Sequence, residues 1–108
     1  MREFVAAFLT DHLGDVDRLS REVLKTPAHT AAALVLNHIF NDWRDVIPRI
    51  QLPTLVFAAT KSHVPVTSQE WLQETIPDAR LEIMDGRAHL MFYEDPDGFN
   101  RALAAFLG

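Results

Sequence analysis

Five histidines and no cysteine bound the chemistry this chain can carry. The histidine best placed for it is His89, in "DGRAHLMFYEDPDGFN" (residues 85–100). This polar stretch lies between an apolar strand-like run and a helix with a clean start. An ordinary imidazole titrates near pH ~6.5, so His89 can take up and return a proton close to neutrality, as a general base must. Three carboxylates flank it. One of them could stand in as an acid beside the histidine, but the preferred expectation is that Asp95 caps the following helix and that Asp85 and Glu94 are solvated loop residues. His63 directly follows Ser62, and adjacent side chains do not readily form a nucleophile–base pair, so His63 is expected to be a loop residue near the site mouth. His12, His29 and His38 fall in helical stretches. No H-E-x-x-H or comparable ligand spacing occurs, so neither a metal site nor a cofactor is expected. Without cysteine, disulfides, thiolate nucleophiles and Cys-type zinc sites are excluded.

The rest of the composition narrows the partners. With 108 residues there is room for one small domain. The net charge of −5, with lysines and arginines scattered singly, disfavours nucleic acid and anionic membranes. The first apolar stretch, "MREFVAAFLTDHLG", is too short and interrupted for a signal peptide or a membrane span, and a cytoplasmic location is the expectation.

The elements that must position His89 divide the chain in two. Residues 1–48 are expected to be helical and residues 49–108 to run strand–helix–strand–helix. In the first part Phe4, Val5, Phe8, Leu9 and His12 recur at helical spacing, with Gly14 as the stop. Val16, Leu19, Val23 and Leu24 repeat the pattern. Thr26 and Pro27 then form an N-cap and first turn for a third helix, whose face runs through Ala28, Ala32, Val35, Leu36, Ile39 and Trp43. Pro48 closes this half.

In the second part Leu52–Ala59 is almost continuously apolar, the pattern of a strand buried on both faces of a parallel sheet. "TSQE" has the form of a capping box, Thr67 with Glu70, for a helix from about Ser68 to Ile76 whose inward residues are Trp71, Leu72 and Ile76. "ARLEIM" alternates, as a strand nearer a sheet edge would. A loop over 85–95 follows, and the last helix buries Phe99, Leu103, Phe106 and Leu107. The fold class is therefore α/β, with a parallel strand pair joined by a helix. Two strands are too few for an independent parallel sheet, so the first strand is expected to have a further neighbour. The expectation is the end of a larger α/β domain, or a chain that pairs with another.

Residues 41–107 resemble the C-terminal part of α/β-hydrolases. "DWRDVIPRIQLPTLVFAAT" is similar to that family's passage from its helical cap into the seventh strand. "IPDARLEIMDGRAHL" is similar to the eighth strand, and "HLMFYEDPDGFNRALAAFL" to the final histidine loop and last helix. The nearest flavour is the esterases and non-haem haloperoxidases. Residues 1–40 resemble, less specifically, the cap inserted before the seventh strand.

The resemblance implies a partial α/β-hydrolase fold and a Ser-His-acid site in which His89 is the base. Its substrate would be a small acyl or ester-type molecule. Two departures stand against a complete site. Glycine occurs only at 14, 86, 98 and 108, so this sequence holds no G-x-S-x-G elbow. The loop where the family most often carries its acid is "TKSHVPV", with Lys61 and Ser62 at the spot and no carboxylate between Leu52 and Val66. Some members carry the acid after the sixth strand instead, so the acid is expected either upstream in a parent protein or lost. The expectation is a hydrolase C-terminal portion that is inactive in isolation. The alternative is a non-catalytic α/β module that self-associates, or binds an N-terminal half, through its exposed sheet edge. Phe92 and the face Val35–Phe40 are the residues suspected of lining an apolar acyl pocket.

Overall fold

The computed structural model describes every residue except Asp11, and every side chain except those of Asp11 and Leu13. Two strands, β1 (Thr54–Ala59) and β2 (Ala79–Met84), pair in parallel with Thr54 opposite Ala79 and Ala59 opposite Met84. The helix between them, α4 (Val66–Thr75), packs on both strands. A single helical turn, α5 (Met91–Glu94), and the last helix, α6 (Pro96–Leu107), follow β2. Phe99 of α6 stacks on Phe57 of β1 with ring centroids 4.3 Å apart. Val56, Ala58 and Ala59 of β1, Ile76 and Met84 form the buried centre of this half.

Ahead of the strands lie α1 (Arg2–Phe8), α2 (Leu13–Val23) and α3 (Ala28–Phe40), then a short 3-10 turn at Ile47–Arg49. α1 packs on α2 around the fully buried Val5 and Val16, and Arg2 pairs with Asp17 across the same contact. None of the described residues of α3 is buried. Its apolar side chains, from Leu34 to the 81% exposed Phe40, are all more than half exposed. The radius of gyration is 15.5 Å, against about 13 Å for a well-packed chain of this length. The excess fits a helix that stands off from the rest.

Several local expectations are corrected. Gly14 does not stop the first helix; it sits in the first turn of α2. α3 starts at Ala28, with Pro27 rather than Thr26 as the capping residue. The box "TSQE" is not used: α4 begins at Val66 behind Pro65, with no side-chain cap. Pro65 fixes φ at −61° beside the helix start, which sets the entry without help from a hydroxyl. Trp71 is 40% exposed and not inward. Ile83 breaks the alternation of β2 by facing outward at 45% exposure, and Leu107 is exposed where a buried position was expected. Residues 85–95 are not all loop, since α5 interrupts them. Asp95 does cap α6, accepting the Gly98 N–H at 2.9 Å. A side-chain Cβ at position 98 would lie 2.5 Å from Oδ2 of that carboxylate, so the Asp95 side chain would have to shift to admit one. Among the described residues no helix is long and apolar enough to cross a membrane.

Candidate active site

Parallel strands in register leave the sheet at the same end, so the loops after β1 and β2 meet beyond Ala59 and Met84. Catalytic groups collect at this end of open α/β sheets. Backbone and hydroxyl contacts lock the two loops together. Thr60 Oγ1 donates to Asp85 at 3.0 Å and accepts the Gly86 N–H at 2.8 Å. Lys61 N–H donates to the Arg87 carbonyl at 2.9 Å. Gly86 takes φ +70°, a conformation that favours glycine, and so turns the chain back after β2. Asp85 is therefore not simply solvated.

This lacing brings the side chains of Ser62 and His89 together. Ser62 Oγ lies 3.0 Å from His89 Nδ1, and the same oxygen accepts the Val64 N–H at 3.1 Å. His89 Nε2 has no hydrogen-bond partner among the described residues. His63 sits against the His89 ring, centroids 4.5 Å apart, and is not merely at the mouth. Its Nδ1–H donates to the Phe8 carbonyl at 2.9 Å, and its ring meets the edge of Phe8. His89 is half-buried. Burial, and secondly the neighbouring His63, hold its pKa below the ordinary value. Both effects disfavour the imidazolium and favour the neutral imidazole.

The end of α1 reaches across to this corner. Leu90 N–H donates to the Leu9 carbonyl at 2.9 Å. The buried Thr10 hydroxyl donates to one oxygen of Glu94, whose other oxygen accepts the Ala88 N–H at 2.9 Å. Glu94 is thus no solvated loop residue. It joins the N-terminal helix to the residue before His89.

A cleft of about 210 Å³ adjoins the pair, lined by Phe57, Ala58, Ala59, Ser62, Val64, Gln69, His89 and Met91. Its size suits a short acyl group better than a drug-sized ligand. Phe92 and the α3 face do not line it. Phe92 is 52% exposed and packs on Phe99. Val35 instead lines a separate apolar hollow with Met1, Phe4 and Leu34. The remaining histidines, His12, His29 and His38, are exposed and apart from the site. Asp42 and Arg44 pair with each other, and that ion pair holds the Asp42 carboxyl at about 2. No group of three or more histidine or carboxylate side chains among the described residues could hold a metal ion.

Ser62 and Glu94 are the residues that reading the sequence did not bring to the site. For Ser62 the only signal is its place in the loop, where the resembling family carries an acid. For Glu94 it is the glutamate five positions after the histidine in the final-loop pattern.

No protein-family model matches the chain. Curated relatives do. The 3-oxoadipate enol-lactonase 2 of Acinetobacter baylyi is 29% identical over 107 residues, covering 98% of this chain and 40% of that protein. The protein named "Putative carbamate hydrolase RutD" of Azorhizobium caulinodans is 40% identical over 68 residues, 62% of this chain and 26% of its own length. The pimeloyl-[acyl-carrier protein] methyl ester esterase of Aromatoleum aromaticum is 33% identical over 57 residues, 52% of this chain and 23% of its own. The chain thus spans at most 40% of the length of these relatives. It is a relative of esterases and hydrolases of the α/β-hydrolase type, matching the C-terminal part of such a protein.

Proposed function

We propose that this chain carries the base, His89, of a site that hydrolyses an ester or a related carbonyl compound through an acyl-enzyme. In such a site the imidazole takes the proton of an attacking serine and returns it to the leaving group, while a partner on its other nitrogen fixes its orientation. The observation that supports this is the Ser62–His89 contact at 3.0 Å. It sets a side-chain partner on Nδ1, at the strand ends, with Nε2 unpartnered among the described residues. The relatives' names, an enol-lactonase and a methyl ester esterase among them, point to the same bond class. The nucleophile does not come from this sequence, which has no G-x-S-x-G.

Purified chain is therefore expected to hydrolyse p-nitrophenyl acetate no faster than its H89A variant. Saturable turnover that H89A abolishes would overturn this reading.

A second reading rests on a different observation, the uncovered apolar side of α3 together with the unpaired edge of β1. On it the chain is a non-catalytic module that associates through those surfaces. Sedimentation decides it: the reading expects mass above that of a monomer at high concentration, and a persistent monomer removes it.

A further inference from the structure

We propose that Ser62 takes the place of the orienting acid and, by donating its hydroxyl hydrogen to Nδ1, holds His89 with its proton on Nε2. The inference deepens the reading of His89 as a base and rests on it only for its catalytic consequence, since the hydrogen-bond assignment stands on geometry alone.

A serine hydroxyl has one hydrogen to give and two lone pairs to accept with. One lone pair of Ser62 is already engaged by the Val64 N–H at 3.1 Å. If Nδ1–H donated as well, the hydroxyl hydrogen would have no partner among the described residues. If Ser62 donates to Nδ1 instead, the hydroxyl both accepts and donates, and no half-buried donor is left over. The tautomer of a neutral histidine is set by the hydrogen bond made at one nitrogen, and an acceptor role for Nδ1 puts the proton on Nε2.

A carboxylate imposes the reverse. It can only accept, so it requires Nδ1–H and frees the Nε2 lone pair for a serine proton. It also stabilises the imidazolium that forms during acyl transfer, which a neutral hydroxyl does far less well. Replacing the acid by a group that keeps the geometry but favours the wrong tautomer is known to cost about 10⁴-fold in turnover in serine proteases. Ser62 is thus a positioning residue that keeps the base in a resting form.

The test uses the full chain labelled with ¹⁵N, and reads the imidazole nitrogens of His89 by long-range NMR correlation at a pH above 7. The expected result is Nε2–H in the native chain. In S62D the proton moves to Nδ1, and the pKa of His89, read from the same spectra across pH, rises from below the ordinary imidazole value to above it. S62A, which keeps the size but offers no hydroxyl, loses the bias, and its circular dichroism shows whether the fold is retained. Nδ1–H in the native chain overturns the proposal, as does a tautomer that S62A and S62D leave unchanged. Acetylation of Ser62 by p-nitrophenyl acetate, seen in the intact mass and absent from S62A, also overturns it, by making Ser62 the nucleophile. None of these outcomes depends on whether His89 serves as a base, so failure here is separable from failure of that reading.

Discussion

A chimaera in which residues 41–108, carrying Ser62→Asp to supply the orienting acid, replace the matching part of the A. baylyi enol-lactonase is expected to lose at least about 10³-fold in kcat when His89 is changed to alanine. The loss should fall on kcat and kcat/KM alike. A general base acts in the transition state, and removing it takes away an interaction that bound substrate does not make. By the resemblance, the retained part of the enol-lactonase is expected to supply what this sequence lacks, a serine on a strand–turn–helix elbow. A chimaera whose turnover is the same with and without the imidazole would remove His89 from the chemistry. A rise in KM alone would make it a binding residue. The size of the effect follows from how members of a catalytic set depend on one another: without its base the serine is a weak nucleophile, and what survives comes from binding and the oxyanion donors.

Changing Glu94 to alanine is expected to destabilise the chain by about 2–4 kcal/mol, more than any substitution at an exposed carboxylate. Two donors lose their acceptor at once. One is the Ala88 N–H, at 2.9 Å, and the other is the hydroxyl of Thr10, a residue only 1% exposed. Each buried donor left without a partner costs about 1–3 kcal/mol. For a chain of this size the melting midpoint should fall by roughly 10 °C or more. Glu94→Gln keeps an oxygen able to accept one of the two bonds and should cost less. Thr10→Val removes the other partner, so a double-mutant cycle between positions 10 and 94 should show coupling of about 0.5–3 kcal/mol in urea unfolding. Additive effects, or an E94A cost within about 0.5 kcal/mol, would mean that Glu94 is the solvated residue its surroundings in the sequence imply.

The difference between those two pictures of Glu94 marks where the sequence stops being legible. β1 could be read because Leu52–Ala59 is almost continuously apolar, the pattern of a strand meant to be covered on both sides. The Asp95 cap could be read because Asp, Pro and a glycine three residues after the aspartate fall in consecutive order, and capping is a local affair. His89 stood out through its loop and the helix behind it. What could not be read was which distant group meets it. Thr10 and Glu94 are 84 residues apart, and no local spacing announces their contact. Ser62 failed for another reason. Its neighbour His63 was the natural partner to weigh, but two successive side chains in a loop diverge, and the strand register selected His89 instead. The capping box at Thr67 was a true pattern that the backbone bypassed, because Pro65 had already started the helix two residues earlier. The third helix misled most. Its periodic apolar face is real, yet none of its described residues is buried, and periodicity says which side of a helix is greasy but not what it meets.

The bonds that tie Phe8, Leu9 and Thr10 to the loops around His89 have a consequence for the order in which the protein is made. A chain leaves the ribosome from its N-terminus, and helices with near neighbours can settle as they emerge. α1 and α2 satisfy that condition. The carbonyl of Leu9, however, waits for the amide of Leu90, and the hydroxyl of Thr10 for Glu94. Closing so long a loop is slow compared with forming a helix. The corner that holds His89 is therefore completed only once Leu90 and Glu94 have been synthesised, well after α1 and α2 have emerged.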